Sequence, residues 1–431
     1  MAVGNRSMRR LALLGGLVTA APAGAQVPKI TLQEAIERAN LVQPSVVSAF
    51  GTVRNAQARQ RSATGAFLPS FTVSGSRSNS YSEGQQLDPS TGQFTTSGTS
   101  TGSAGATVSS NVDLFAGFRR TGERKAASAN RTAAEASLSN ARYQQQLATT
   151  NQFFDVLAAE QLLRVRESSV RRAEEQLKVA VAKLHAGRGI RPDSLRSVVT
   201  LGTAQLQLVN ARAALSTAEA NLGRLVGADT PVGAVDDSTL YTLLPPIDST
   251  GLRDEALANS PSVKAAEASS VAARSQVQIS KASYWPTLSL SGSASMNGSS
   301  RNDYTFLNSR QVSLGLSWPI FNRFQREQGV VNALTSLDNA EAQAADSRRA
   351  VLANLRAAIA ALEAARLTIS ISQTSVLAAE EDLRVQQERY RLGAATIVDV
   401  LTSQEALNQA EVDAVTARFD YVRARAEISA L

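Results

Sequence analysis

The side chains that could do chemistry in this 431-residue chain are mainly carboxylates, because it contains no cysteine and one histidine, His185. Cysteine-based metal sites and thiol chemistry are therefore excluded, and a Ser-His-Asp triad would have to use that single histidine. His185 lies beside a predicted turn, where an exposed residue is favoured over a ligand. Most acids lie in long helical segments at solvated spacings. We therefore expect no enzyme, no metal site and no cofactor.

Two aspartates hold positions where a carboxylate could act on a helix end or on a cation. Asp193 and Asp399 each follow a turn that contains a glycine. A carboxylate placed there can accept hydrogen bonds from the free N–H groups of the helix that begins after the turn. It can also attract cations where several copies meet. The candidate residues of the two turns are Tyr390, Gly393, Asp399, Thr402, Gly187 and Asp193.

The two turns belong to an internal repeat that organises the whole chain. Residues 68–76 recur as 285–293, which is 217 positions later. From Phe115, which matches Phe321, the offset becomes 206 and stays there. The change in offset indicates an 11-residue deletion between two matched segments, as expected for an exposed loop.

Each half is expected to run short helix, strand, loop, strand, long helix, turn, returning helix. The first half, 26–226, divides into a short helix at 44–66, a hairpin at 67–116, a long helix at 117–186 and a returning helix at 192–226. The second half, 252–431, divides into 261–283, 285–321, 322–392 and 397–431 in the same way. Residues 227–251 are the expected linker. A helix of seventy residues would be about 105 Å long.

The hairpins show the alternation of outer-membrane strands. Val312, Leu314 and Leu316 alternate with small or polar residues, and segments 82–105 and 297–309 read as polar loops. A soluble hairpin with one buried face is the alternative. Aromatic residues at the strand ends opposite these loops are typical of a membrane-interface girdle. They are Phe67, Phe115, Tyr284, Trp285, Trp318 and Phe321.

The N-terminus is typical of a secretory signal peptide. Residues 1–25 combine arginines, an apolar stretch shorter than a spanning helix and a small-residue cleavage site. No later segment is apolar enough to span a bilayer as a helix. The formal net charge is +7, and no basic patch is interleaved with stacking aromatics. We therefore expect no nucleic-acid partner.

Closure of the strands determines the expected assembly. Four strands cannot close a barrel, and lipid does not tolerate open sheet edges. Two copies would give an eight-stranded barrel filled by side chains, whereas three would give twelve strands and a lumen. The predicted fold is therefore mainly α with membrane β, an internally duplicated protomer. It contributes four strands to a twelve-stranded trimeric β-barrel.

Over nearly its whole expected mature length the sequence resembles the TolC-like outer-membrane efflux family. The resemblance is carried by the duplicated residues 68–69 and 285–286, by 114–117 and 320–323, and most specifically by the second turn, 390–401. It implies a homotrimeric duct in outer-membrane lipid, in which the long helices contribute to a continuous periplasmic α-barrel. It also implies coupling to a periplasmic adaptor protein and an inner-membrane transporter. It also implies turns that close like an iris, a pattern that Tyr390 and Asp399 match. Ala395 stands where some relatives have a basic linking residue, and Thr402 where some have a second acid.

Two questions stay open at the level of sequence. The leading function is a passive conduit for efflux or type I secretion, and the alternative is a periplasmic coiled-coil adaptor or structural protein. For Asp399, three-fold symmetry favours a cation-attracting ring of carboxylates, and the alternative is a cap on the helix that begins near Ile397. A capping role is expected for Asp193.

Overall fold

The computed structural model describes residues 27–90, 92–237, 241 and 249–429. The expected signal peptide and most of 238–248 in the expected linker lie outside these residues. The first half contains β1 (Lys29–Ile30), α1 (Leu32–Val42), α2 (Pro44–Gly65), β2 (Ser70–Leu87), β3 (Phe94–Ala116), α3 (Arg119–His185) and α4 (Arg191–Val226). The rest contains β4 (Gly233–Ala234), α5 (Ser249–Asn259), α6 (Pro261–Lys281), β5 (Thr287–Ser299), β6 (Leu307–Ser317), α7 (Gln325–Leu392) and α8 (Ile397–Ser429).

Two very long helices dominate the described chain. α3 has 67 residues and α7 has 68, so each is about 100 Å long. Neither contains a proline, whereas α2, α4 and α6 each carry a proline in their first turn, where its missing N–H costs nothing. In the described parts of the chain, no helix combines the length and apolar character needed to cross a membrane.

The long helices begin a few residues later than expected because the chain turns a left-handed corner before each one. Gly117 and Phe118 have φ of +57° and +66°, and Arg323 and Phe324 have φ of +58° and +63°. Three of these four residues carry a side chain, for which left-handed backbone is costly. The first corner connects β3 directly to α3, and the second ends a seven-residue connection between β6 and α7.

The hairpins form one antiparallel sheet with the order β2-β3-β5-β6. The expected loop at 82–105 is wrong, because β2 and β3 stay paired as far as Leu87 and Phe94. The intervening turn is closed by the Asp88 N–H, which donates to the Gln93 carbonyl at 3.0 Å. Serine and threonine suggested a loop, yet small and β-branched residues also fit a pleated ladder. The second expected loop, 297–309, is likewise shorter, since strand structure extends to Ser299 and resumes at Leu307.

A β-bulge adjusts the lower end of β3. Asp113 pairs with Ser289 while Phe115 pairs with Leu288, so Leu114 is an extra residue in the ladder. Because side chains alternate along a strand, the extra residue turns Phe115 onto the same face as Leu288. The bulge thereby keeps an aromatic residue on the apolar face at the sheet end.

The helices pack in a fixed order around α3. Next to the sheet the order is α2-α3-α6-α7, and farther away it is α4-α3-α8-α7. Where the two layers meet, β1 pairs with β4 in parallel, so part of the expected linker is regular structure. The core at this level contains Phe153, Phe154, Leu222 and Phe419. Full burial of each such side chain stabilises the fold by about 1.5–3 kcal/mol.

Candidate functional site

The turns at the far ends of the long helices have the same backbone. In the first, the Gly187 N–H donates to Leu184 and the Arg188 N–H to Lys183, at 3.1 and 2.9 Å. In the second, the Gly393 N–H donates to the Tyr390 carbonyl at 3.2 Å and the Ala394 N–H to the Arg389 carbonyl at 2.7 Å. These two acceptors lie 206 positions after Leu184 and Lys183. Gly187 and Gly393 have φ of +69° and +80°, a conformation that glycine adopts without strain.

Asp399 makes the contacts of a helix cap. Its carboxylate accepts hydrogen bonds from the Thr396 N–H and hydroxyl, both at 2.8 Å. The Thr396 hydroxyl in turn accepts the Asp399 N–H at 3.3 Å, which completes a capping box. The backbone hydrogen bond from Thr396, followed by the hydroxyl bond, holds the pKa of Asp399 below its usual value. The carboxylate ring concerns several copies and stays a prediction.

Asp193 is not a cap, and that expectation is wrong. The residue before α4 is Ile190, which makes no side-chain capping bond. Unlike Thr396, isoleucine has no hydroxyl to pair with the aspartate three residues later. Asp193 lies instead where its charge acts on Lys183 and Tyr390. Burial raises the pKa of Tyr390, and the negative charge of Asp193 raises it further.

Lys183, which is not among the candidate residues predicted from the sequence, links the two turns. Its Nζ lies 3.6 Å from the centre of the Tyr390 ring and donates to the Tyr390 carbonyl at the end of α7. Burial lowers the pKa of Lys183, and Asp193 partly offsets this effect. A cation over an aromatic face and beside C-terminal helix carbonyls is attracted by both.

A repeat signal could have revealed Lys183. The residue 206 positions later is Arg389, so both turns carry a base at the same place. Arg389 bonds within its own turn, to Ala394 at 3.4 Å, whereas Lys183 crosses to the other turn. The same position of the repeat therefore holds a base that stays within its own turn in one half and contacts the other turn in the other half.

Tyr390 is 6% exposed and packs against Leu383, Ile397 and Val400, so the described contacts hold it between α7 and α8. Thr402 lies on the exposed side of α8, and its neighbour Ser403 is the one that bonds across to α7, donating to Asp382. The structure thus brings Lys183 and Tyr390 into contact, with the charge of Asp193 near enough to act on both. It leaves Thr402 and Asp399 outside that contact.

Above the turns, polar side chains hold α3 to α8. The Arg172 guanidinium donates to both carboxylate oxygens of Glu411, at 2.9 and 2.6 Å, and to Asn408 at 2.7 Å. Farther along, Arg423 pairs with Asp155 at 2.6 Å. The Arg172–Glu411 pair is largely shielded from water. Its two parallel hydrogen bonds make it stronger than an ion pair with a single hydrogen bond. These bonds fix how α3 and α8 align above the turns.

The aromatic residues of the predicted girdle gather where the sheet meets the helices. Phe115 contacts Phe118 edge-on, with ring centres 5.5 Å apart, and Phe118 contacts Trp285 at 6.1 Å. Arg120 lies 5.0 Å from the Phe67 ring centre and Arg326 4.8 Å from that of Tyr284. These two arginines are not among the residues predicted for the girdle.

Two more contacts join the remaining aromatic residues of this junction. We call the whole set the aromatic collar: Phe67, Phe115, Phe118, Tyr284, Trp285, Trp318, Phe321 and Phe324. The Trp318 indole donates to the Tyr284 carbonyl at 3.2 Å, and Phe321 contacts Phe324 edge-on at 5.6 Å. Within the described residues, no cluster of three or more metal-ligating side chains is present.

Comparison with known proteins gives a consistent result. The family described as "Outer membrane efflux protein" matches residues 35–228 and 252–431. The outer membrane efflux protein BepC of Brucella suis is 27% identical over 338 residues, covering 77% of this chain and 73% of BepC. The pyoverdine export outer membrane protein OpmQ of Pseudomonas aeruginosa is 27% identical over 416 residues, covering 91% and 83%. The fold is similar to the CmeC outer membrane channel of Campylobacter jejuni, with a TM-score of 0.78, 18% identity, and coverage of 93% and 84%.

Proposed function

Because this chain belongs to the outer membrane efflux protein family, whose members are passive export channels of the outer membrane, we propose that three copies assemble into one duct. Each copy supplies four strands to a twelve-stranded barrel and its long helices to a periplasmic barrel. A periplasmic adaptor and an inner-membrane transporter deliver the substrate and the energy, in tripartite efflux or type I secretion. The chain is not an enzyme.

The observation that carries the trimer is the alignment of free edges through the whole protomer. In the sheet the free edges are β2 and β6. In the helical layer next to the sheet the free edges are α2 and α7, and in the layer farther away they are α4 and α7. One side is therefore always built from the first half and the other always from the end of the second hairpin and α7. Two unlike edges that meet by rotation generate a closed ring.

The helical edges are also apolar. α4 exposes Val199 and Leu206, and α7 exposes Ile371 and Val385. Exposed apolar rows on long helices are typical of a surface that a partner covers. Since lipid does not tolerate the free edges of the sheet, the strands and helices favour the same neighbour. A coiled-coil adaptor would have no use for the sheet.

The aromatic collar supports a placement in the membrane. Its rings lie at the junction of sheet and helices, where aromatic side chains favour a membrane–water interface. The apolar face of the sheet then meets lipid, and the two helical turns point into the periplasm. We place the closed mouth of the duct at these turns, held by Lys183 and Tyr390. Three copies of Asp399 would surround its axis.

Cysteine cross-linking tests the ring directly, because the chain has no cysteine of its own. Val199 and Val385 both lie about 11 Å from the turns, on α4 and α7. The double variant Val199→Cys/Val385→Cys is expected to give disulfide-linked trimers. The control Val199→Cys/Leu334→Cys places its second thiol close to the sheet and is expected to give none.

Light scattering of the detergent-extracted protein supplies the decisive mass. A trimer is expected, with monomers only after unfolding. A stable folded monomer that does not cross-link would overturn the proposed assembly. Conductance of the same sample in planar bilayers tests the duct itself, because a twelve-stranded barrel without a continuous lumen would pass no ions.

A further inference from the structure

The four strands of the membrane sheet carry few charges. The charged side chains in β2, β3, β5 and β6 are Arg77, Glu83, Asp113 and Arg310. The two arginines share three features. Each lies on an edge strand, each lies seven residues from the end of its strand that faces the helices, and each is exposed with no hydrogen bond or ion pair to the described residues.

Both arginines also lie on the apolar face. On β2, Arg77 follows Phe71 and Val73 at intervals of two residues. On β6, Arg310 stands two residues from Val312 in the row that continues through Leu314 and Leu316. The ladder confirms the shared face, because Val73, Val108, Ala294 and Arg310 occupy one row across the sheet. A charge on a lipid-facing row is costly unless it reaches the interface or an anion.

Closure of the ring determines where the two arginines meet, and this step rests on the proposed trimer. β6 must pair with β2 of the neighbouring protomer, displaced along the strand by the stagger that every barrel requires. The displacement must be even, because an odd one would place apolar side chains in the lumen. Displacement in one direction moves β6 beyond the start of β2 at Ser70, so only the other direction keeps the strands paired.

A stagger of four residues per protomer gives a strand tilt of about 35°, and a stagger of six gives about 46°. With four, Arg310 stands directly opposite Arg77 of the neighbouring protomer. With six, it stands opposite Asn79 of the neighbouring protomer, and Arg77 is the diagonal neighbour at about 7–8 Å. Both solutions that match the usual tilt of barrels therefore bring the two guanidinium groups together on the lipid side.

Two guanidinium groups at this separation repel each other unless an anion lies between them. The pair lies about 20 Å above the aromatic collar, near the outer limit of an apolar band of about 25 Å. Arginine binds phosphate with two parallel hydrogen bonds, and the outer leaflet presents phosphorylated lipid headgroups at this height. We propose that Arg77 and Arg310 of adjacent protomers form three equivalent sites for a lipid phosphate at the subunit boundaries.

Native mass spectrometry of gently extracted protein tests the proposal by counting lipopolysaccharide bound to each trimer. The wild type is expected to retain up to three molecules. Arg77→Gln/Arg310→Gln is expected to retain roughly tenfold less, as is the wild type from cells whose lipid A lacks phosphates. Each single variant should lose most of the binding, because both arginines hold one phosphate. Arg77→Lys/Arg310→Lys should bind at an intermediate level, since lysine lacks the two-pronged geometry.

Arg323→Gln is the matched control. It removes the same charge beside the other end of β6, on the collar side of the sheet, and should bind like the wild type. Equal retention by the wild type and the double glutamine variant would overturn the site, as would retention that ignores the phosphates. Half-losses that add between the single variants would show two separate sites rather than a shared one. A trimer that conducts but binds no such lipid contradicts only this inference, whereas a monomer contradicts the proposed function.

Discussion

The two helical turns have the same backbone and opposite ways of satisfying their side chains. The second turn is self-contained, because Thr396 and Asp399 cap α8 and Arg389 bonds to its own turn. At the first turn, Ile190 replaces the threonine, and Lys183 reaches across to Tyr390. One turn is therefore stabilised locally, and the other through its neighbour. The comparison teaches that a repeated segment can keep its fold while one copy becomes a contact for the other.

The largest effect is expected from breaking the contact between the turns. Lys183→Met keeps the aliphatic stem and removes the charge, and with it a cation–π contact of about 0.5–2 kcal/mol. A charge-assisted hydrogen bond of about 1.5–3 kcal/mol is lost as well. Single-channel recording should show a several-fold higher conductance as the mouth opens. Arg389→Gln, at the equivalent position, should conduct like the wild type. Equal conductance of all three proteins would show that the link does not close the duct.

The comparison also predicts that a contact above both turns affects both. Arg172→Gln leaves Glu411 partly shielded without its partner, which should cost about 1–3 kcal/mol. Hydrogen exchange should increase at both turns to a similar degree, because α3 and α8 each lead into one of them. Faster exchange at a single turn would mean that the turns respond independently.

Asp399 gives a smaller effect that separates its two roles. Asp399→Asn removes the charge, and a carboxylate ring predicts weaker cation selectivity and lost block by divalent or trivalent cations. A cap alone predicts unchanged selectivity and faster amide exchange at residues 396–399. The lowered pKa means that the charged form is favoured in the folded turn. Its stabilising effect is complete above the unfolded pKa and is lost as pH falls through the lower folded value. Bilayer recording near neutral pH therefore measures the fully charged residue.

The smallest effect should come from making the first turn resemble the second. Ile190→Thr recreates the spacing of threonine and aspartate with Asp193, and Ile190 is exposed, so little packing is lost. A new cap should stabilise the start of α4 by about 0.5–2 kcal/mol. Slower amide exchange at residues 191–194 would report it. The control Ile190→Val should exchange like the wild type. An unchanged rate for the threonine variant would show that Asp193 is committed to Lys183 and Tyr390.

The sequence predicted the long-range features better than the local ones. Alternation in 312–318 and the absence of proline in the long helices are strong signals, and both elements were found. The loop predicted at 82–105 is wrong because serine, threonine and glycine are common both in loops and in strands with small side chains. Lys183 was overlooked because its partner is 207 residues away, and one chain's spacing does not reveal which turns touch. A capping role was expected for Asp193 from its place beside Pro192 at the start of the returning helix, although Ile190 has no hydroxyl to complete a capping box.

The left-handed corners at Phe118 and Phe324 have a consequence for the distance between the sheet and the two helical turns. Each corner ties a rigid rod directly to the aromatic collar, without a flexible joint between the membrane anchor and the rod. With 67 and 68 residues, the two rods are nearly equal and act together as a ruler. Adding seven residues to both would lengthen the reach by about 10 Å and leave the membrane segment unchanged. The change would also have to be matched in the two shorter helices that pack beside the lengthened part, α2 and α6 near the sheet or α4 and α8 near the turns. The depth of the envelope that this protein fits is therefore encoded four times in one chain.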